Sequence, residues 1–245
     1  PCSFGWINAS FGNPEPYYRL RIRAMEEWKR LAKEVPGLPV SWQGGLCWDR
    51  PQAELETLAA SHSAWGYGIR ETDREAAARI EPNLAEPPDF ALFVAEEGAA
   101  EPEAATSLLV ADAQRRGARL LAGTEVRAVH AGGSRRPAVE TTAGRLEADE
   151  IVLAAGAASA GLAASAGMDL PMTMPPGLLV HSRPHPPLLN RLALGDRLHM
   201  RQTAEGRLVA GADYGGADPG PDADATARRL FETMKSMLKG AGGLE

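Results

Sequence analysis

Glu150-Ile151-Val152-Leu153-Ala154-Ala155-Gly156-Ala157-Ala158-Ser159-Ala160-Gly161-Leu162 is the stretch on which the reading of this chain turns. Three bulky apolar residues predict a buried strand at Ile151–Leu153, and the small residues after it predict a tight turn into a helix. Small side chains at such a junction let backbone amides approach an anionic ligand closely, and the helix dipole favours the same charge. A tight strand–helix junction with no ligand produces the same pattern, so the neighbouring sequence has to decide. A serine-hydrolase elbow does not fit, because Ser159 stands one residue too far from Gly156 for G-x-S-x-G.

Upstream, Pro102 opens a helix with an apolar stripe at Ala105, Leu108, Leu109 and Ala113, and Gly117 ends it. Between that helix and Ile151 lie short apolar or β-branched runs at Arg119–Leu121, Val126–His130 and Val139–Thr142, which predict a β-rich insert. Nearer the start, Asn13-Pro14 signals a helix N-terminus. Leu20, Ala24, Trp28, Leu31 and Val35 then form one stripe, ended by Pro36-Gly37. Arg19, Arg21 and Arg23 read as a solvated surface of that helix. Val40–Gln43 and Leu46–Trp48 flank Gly44-Gly45 and predict a hairpin. A helix follows over Gln52–Trp65, then a capping box at Thr72–Glu75 and a short helix before Pro82, then a strand at Phe90–Val94.

Downstream of Pro171 three strands are expected at Leu178–Ser182, Leu198–Gln202 and Leu208–Ala210. Arg183-Pro184-His185-Pro186-Pro187 reads as extended loop. Asp218–Asp224 is a connector, and Ala225–Leu238 a terminal helix.

Composition narrows the function classes. With 245 residues, 44% hydrophobic and 24% charged, the chain is an ordinary globular one, and its net charge of −6 gives no broad attraction to nucleic acid or anionic lipid. Cys2 and Cys47 form no metal or disulfide framework, which fits a reducing, cytoplasmic setting. No apolar run reaches the roughly 20 residues needed to span a bilayer. No G-x-G-x-x-G, P-loop or H-E-x-x-H is present. His181 and His185 are four apart, but the prolines around them forbid the helix that would bring both to one metal.

Four segments together resemble the D-amino-acid oxidase-like family, which includes glycine oxidase, sarcosine oxidase and D-amino-acid dehydrogenase. They are Ser3-Phe4-Gly5-Trp6-Ile7-Asn8-Ala9, Ile80-Glu81-Pro82-Asn83-Leu84, Glu101-Pro102 through Gly117-Ala118-Arg119 with Thr124-Glu125-Val126, and Asp149 through Ser159. The resemblance implies an α/β fold, in which a partial FAD/NAD(P)-binding (glutathione-reductase-like) domain at 1–38 and 101–171 is interleaved with a substrate-binding domain at 39–100 and 172–245, built on a mixed or antiparallel sheet. It implies FAD as cofactor. Ser3, Gly5 and Asn8 would lie near the diphosphate or flavin ring, Val126 at the adenine, and Ala154, Ala155 and Gly156 beside the ribose and pyrophosphate. From the residues alone, Val126 also reads as a core strand residue and Asn8 as a turn former. The family's opening strand and G-x-G-x-x-G unit, and its closing segment, have no counterpart here, so the chain is expected to be an internal piece of a longer protein.

The implied reaction is oxidation of the C–N bond of a small amine or amino acid to an imine, with oxygen or a redox partner as electron acceptor. A catalytically silent fragment or interaction module of the same fold is the alternative. A substrate carboxylate requires a cation and a second donor. His199 and Arg201, two apart on one strand, share a sheet face and supply both. The resemblance places His199 where glycine oxidase-like members carry a tyrosine that meets substrate. Both also read as solvent-facing strand residues. Arg183 and Tyr214 are further candidates.

Overall fold

The computed structural model describes residues 3–10, 12–133, 135–173, 176–212, 220 and 222–245. Two compact units make up the chain: Pro1–Arg115 with Pro176–Glu245, and Arg116–Pro175. In chain order the elements are β1 (Trp6–Ile7), α1 (Glu15–Glu34), β2 (Val40–Ser41), β3 (Gly45–Trp48), α2 (Gln52–Ala64), β4 (Ile69–Asp73), α3 (Arg74–Ile80), β5 (Phe90–Val94), β6 (Gly98–Ala100) and α4 (Pro102–Arg115). The smaller unit contributes β7 (Val126–His130), β8 (Ala138–Thr141), β9 (Gly144–Glu147) and α5 (Ser159–Ser165). The chain then returns to the larger unit through β10 (Leu179–Pro184), β11 (Leu192–Gly195), β12 (His199–Gln202), β13 (Arg207–Gly211) and α6 (Ala223–Met237).

The larger unit is organised by a seven-stranded mixed sheet of order β10-β13-β12-β11-β3-β5-β4, in which β11 and β3 run parallel and the other pairs antiparallel. Alternation along the strands separates two apolar faces. Leu46, Ala193, Met200, Leu208 and Ala210 cluster with Leu230, Met234 and Met237 of α6. Each large side chain buried there contributes on the order of 2 kcal/mol. Leu192, Leu194 and Val209 form the other cluster, with Phe4 and Ala99. Phe4 precedes β1, and Ala99 lies on β6, the central strand of a three-stranded sheet β1-β6-β2.

The expected hairpin at Gly44-Gly45 is not formed. β2 pairs with β6, whereas β3 pairs with β5 and β11, so the chain changes sheets at Gly44. Gly44 turns there with φ +82°, a region that costs a residue with a Cβ, and its amide donates to the Glu97 carbonyl at 2.9 Å.

Helix ends also differ in detail from expectation. Pro14 caps α1 with no side-chain hydrogen bond, and Asn13 does not serve as the cap. Asp73, not Thr72, caps α3 by accepting the Ala76 amide at 2.8 Å, while the Thr72 hydroxyl is turned back to the Arg70 carbonyl. On α1 the residues buried in the core are Tyr18 and Met25, while Leu20 is 61% exposed. Ala24 lines an open cavity, as does one side of Trp28, while Trp28 and Leu31 of the expected stripe pack against the buried Val35, Leu38 and Ala105. Glu81, from the Glu-Pro turn after α3, is fully buried and accepts the backbone amides of Asn190 and Arg191, which anchors the entry to β11. Burial raises its carboxyl above the usual range.

The smaller unit holds an antiparallel sheet β7-β8-β9, with α5 packed on β7 through Ser165, whose hydroxyl accepts the Val129 amide at 2.8 Å. Neither Arg119–Leu121 nor Ile151–Leu153 forms a strand, and Val152 is 87% exposed. An apolar run becomes a strand only where a neighbouring backbone takes up its hydrogen bonds, and among the described residues none pairs with this one. Asp218, Pro219 and Pro221 of the expected connector lie outside the described residues, as do Cys2 and Tyr214.

Candidate functional site

Between α1, β1 and α4, all within the larger unit, lies an open cavity of about 420 Å³. Ser3, Gly5 and Asn8 form one wall, and Arg21, Trp28 and Thr106 stand on the helices opposite. The sequence builds this wall through a tight approach of β1 to β6. The Ala100 amide donates to the Gly5 carbonyl at 2.9 Å. Gly5 has φ +78°, and a Cβ placed on it would lie 2.3 Å from the Ala100 carbonyl oxygen. Asn8 is 4% exposed, its backbone carbonyl accepts Arg21 Nε at 2.8 Å, and its Oδ1 has no hydrogen-bond partner. A buried acceptor without a donor is costly, and this oxygen lies behind the cavity surface with essentially no accessible area of its own. Arg21 therefore lines this cavity from α1 and is not simply part of the solvated arginine surface that Arg19 and Arg23 form with Glu15, Glu26 and Glu27.

Behind the wall sits a carboxylate that sequence reading missed. Glu97, in the turn between β5 and β6, is 1% exposed. It accepts Trp6 Nε1 at 2.9 Å and the Tyr67 hydroxyl at 2.8 Å, and the Tyr67 oxygen in turn accepts the Ala9 amide at 3.3 Å. Burial pushes its carboxyl up to about 7, even though Ser10, Tyr67, Trp6 and the Ala9 amide all favour the ionised form. In sequence, Glu96-Glu97-Gly98 looks like a solvated acidic turn. Only long-range contacts, with Trp6, Tyr67 and Ser10, distinguish the second glutamate from the first.

A pH dependence of stability follows. The ordinary glutamate value is 4.5 and that of folded Glu97 about 7, so between them the folded chain holds a proton that the unfolded chain has released. Stability from this group is complete below pH 4.5 and is lost as pH rises through about 7. The loss is about 3 kcal/mol at 1.36 kcal/mol per pKa unit. Urea unfolding of wild type and Glu97→Gln across this range should show wild type losing that much relative to the variant. A constant difference between them would refute the assignment.

His199 and Arg201 lie on β12, and both are buried, so the solvent-facing reading does not hold for either. His199 Nε2 is 3.9 Å from Asp49 Oδ2, and Asp49 Oδ1 accepts the Cys47 thiol at 3.2 Å. Burial pushes that thiol well up. Arg201 is 2% exposed and its guanidinium is engaged by protein: Nε donates to the Phe4 carbonyl, Nη1 and Nη2 to the Glu101 carboxylate at 2.9 and 3.1 Å, and Nη2 also to the Ala100 carbonyl. The strand does bring the two side chains to one face, but it turns Arg201 toward the backbone on both sides of the β1–β6 contact. Arg183 is exposed and pairs with Glu245. Among the described residues no group of His, Cys, Asp and Glu could hold a metal, and no helix is long and apolar enough to cross a membrane.

The remaining expected cofactor residues belong to the smaller unit. Val126 begins β7 and is 37% exposed. Ala154, Ala155 and Gly156 are exposed and lead through a short 3-10 turn into α5. Gly156 takes φ +56°, so the tight turn expected there exists, although the strand before it does not.

Comparison with known proteins gives these features a context. A family model described as DAO, FAD dependent oxidoreductase, matches residues 2–245. Among curated proteins there is no match. Glycine oxidase from Geobacillus kaustophilus superposes with a TM-score of 0.83 at 21% identity, covering 99% of this chain and 69% of that one. L-proline dehydrogenase from P. horikoshii gives 0.81 at 22% identity, covering 97% and 66%. L-α-glycerophosphate oxidase from Mycoplasma pneumoniae, solved with FAD bound, gives 0.75 at 17% identity, covering 99% and 70%. At these identities the likeness is one of fold, and the chain spans about two thirds of the length of these proteins. FAD is the family's cofactor, and the residues present are of a kind to receive part of it: polar side chains at Ser3, Asn8 and Thr106 and a cation at Arg21, all lining one cavity. With the family model matching nearly end to end over a mixed α/β fold, this chain belongs to the FAD dependent oxidoreductase family.

Proposed function

We propose that this chain is the FAD-contacting and substrate-facing part of an enzyme that oxidises the C–N bond of a small amine or amino acid. The observation that carries the reading is the cavity in which Ser3, Gly5 and Asn8 form one wall, with Arg21 on the helix opposite. When bound, FAD supplies the acceptor for a hydride from the carbon beside the amine. The amine also loses a proton, and the resulting imine is hydrolysed to an oxo product and ammonia or a smaller amine. Oxygen or a redox partner is the final electron acceptor.

In this reading the chain's own residues bind and orient. Ser3 and Asn8 offer polar groups to the ligand, Arg21 offers a cation, and Gly5 allows the close approach to Ala100 that sets the wall. Residues 1–38 and 101–171 make up the FAD-binding part, with Val126, Ala154, Ala155 and Gly156 serving the adenine, ribose and pyrophosphate. Residues 39–100 and 172–245 form the substrate-binding part. His199, with Asp49 Oδ2 3.9 Å from its Nε2, is the donor offered to substrate, while Arg201 supports the site by holding the segment before β1. The free Cys47 thiol is in keeping with a cytoplasmic protein. Neighbours of this fold include a glycine oxidase, an L-proline dehydrogenase and an iminodiacetate oxidase, which supports a small amino acid or amine as substrate.

The test is the visible spectrum of the purified chain after incubation with FAD and desalting. Flavin bands that remain with the protein are the expected result. A colourless protein of the correct mass would favour the alternative, a catalytically silent module that does not retain FAD by itself.

A further inference from the structure

We propose that Glu97 is a positioning residue, whose carboxylate gathers Trp6, Tyr67 and Ser10 and thereby fixes the segment Trp6–Ser10 so that Asn8 faces the cavity. The inference rests on the reading of that cavity given above. Its basis is geometric. The segment carrying Asn8 has only two regular strand residues, Trp6 and Ile7, paired with Ala99 and Gly98. Beyond Ile7 the sheet no longer holds it, yet Asn8, Ala9 and Ser10 are all buried.

Arg21 Nε holds the Asn8 carbonyl at 2.8 Å, and the residues on either side of Asn8 are gathered by one carboxylate. Glu97 Oε2 takes the Trp6 indole, and Oε1 takes the Tyr67 hydroxyl, which relays to the Ala9 amide. Ser10 bonds the same carboxyl. Asn8 lies inside this bracket, with donors to Glu97 before and after it in the chain. Glu97 is itself fixed, since its carbonyl accepts the Gly44 amide and a Cβ on Gly45 would lie 2.9 Å from Oε2. The titratable and charged groups around it are Tyr67 after α2, Cys47 on β3 with Asp49 beyond it, and the adjacent Glu96. Burial and Glu97 together raise the Tyr67 hydroxyl well above its usual value, so Tyr67 stays a donor throughout the neutral range.

The experiment reads Trp6 directly. In a ¹⁵N–¹H spectrum of the chain, the Trp6 indole N–H is identified by its loss in Trp6→Phe. In wild type it should resist solvent exchange and shift with pH around neutrality. In Glu97→Gln the shift with pH should disappear while protection persists, because the amide oxygen still accepts the indole. In Glu97→Ala protection should fall at least about tenfold, the scale of a lost hydrogen bond to a charged group. Equal protection in Glu97→Ala and wild type would overturn the proposal. Should Glu97→Ala not fold, Tyr67→Phe removes one donor from the same carboxylate, and unchanged exchange at both Trp6 and the Ala9 amide would overturn it.

FAD affinity, followed by flavin fluorescence, provides the second readout. Glu97→Ala should weaken it at least about tenfold and Glu97→Gln by less than about threefold. Equal loss in both variants would show a general structural role and sink the positioning role. If wild type takes up no FAD, the functional reading fails, and indole exchange alone decides the role of Glu97.

Discussion

Arg201→Ala is expected to lower the unfolding free energy by about 3 kcal/mol, the lower end of the range for removing one member of a buried ion pair. The lower end applies because Glu101, the partner carboxylate, is 26% exposed and is rehydrated when the guanidinium goes. Arg201 also donates to the carbonyls of Phe4, just before β1, and Ala100, on β6, the two segments whose approach builds the cavity wall. Those carbonyls would be left without this donor in a buried place. Arg201→Lys retains a charge but not the planar fork, so it should recover only part of the loss. Urea denaturation of the three proteins measures this, and a loss under about 1 kcal/mol for the alanine variant would remove Arg201 from its supporting role. Because about 3 kcal/mol is a large share of a typical domain's stability, reduced activity in such a variant could not be read as loss of a substrate contact.

Gly5→Ala should be comparably damaging, for a different reason. The new β-carbon would stand 2.3 Å from the Ala100 carbonyl oxygen, which is backbone and cannot swing aside. Positive φ adds about 1–2 kcal/mol for any L side chain. Separating β1 from β6 then sacrifices the Ala100–Gly5 hydrogen bond, worth about 1 kcal/mol. Together these give about 3 kcal/mol or more, with the cavity wall displaced. Gly117→Ala is the control: Gly117 has φ +100°, and a Cβ added there would meet nothing within 4 Å, so it isolates the conformational cost at about 1 kcal/mol. If the two variants lose equal stability, the close approach at Gly5 is not tight and the wall is softer than described.

Much of this architecture was legible in the sequence. α2, α4, β5 and β7 lie within a residue or two of where periodicity and breakers place them, since Pro102, Gly117 and Gly66 act on their own neighbourhood. The polar wall residues Ser3, Gly5 and Asn8 were identifiable as a group because they belong to one short motif. β11 went unrecognised because Leu192–Gly195 is a short, wholly buried strand with no alternation to reveal it. Glu97 was missed because its acidic turn resembles any exposed one, and Asp49 because the strand preceding it does not show which sheet it joins.

The sequence by itself determined where the helices run, where the chain turns and which family pattern it carries, because those signals arise between residues a few positions apart. Tertiary structure alone decided which sheet each strand joins, that Ile151–Leu153 pairs with no strand among the described residues, and what the buried charges face. Arg201 meets Phe4 across 197 residues of chain, and Trp6 meets Glu97 across 91. Periodicity can show that a side chain is turned inward. What it meets there depends on strand order and register, and these are set by packing the whole sheet at once.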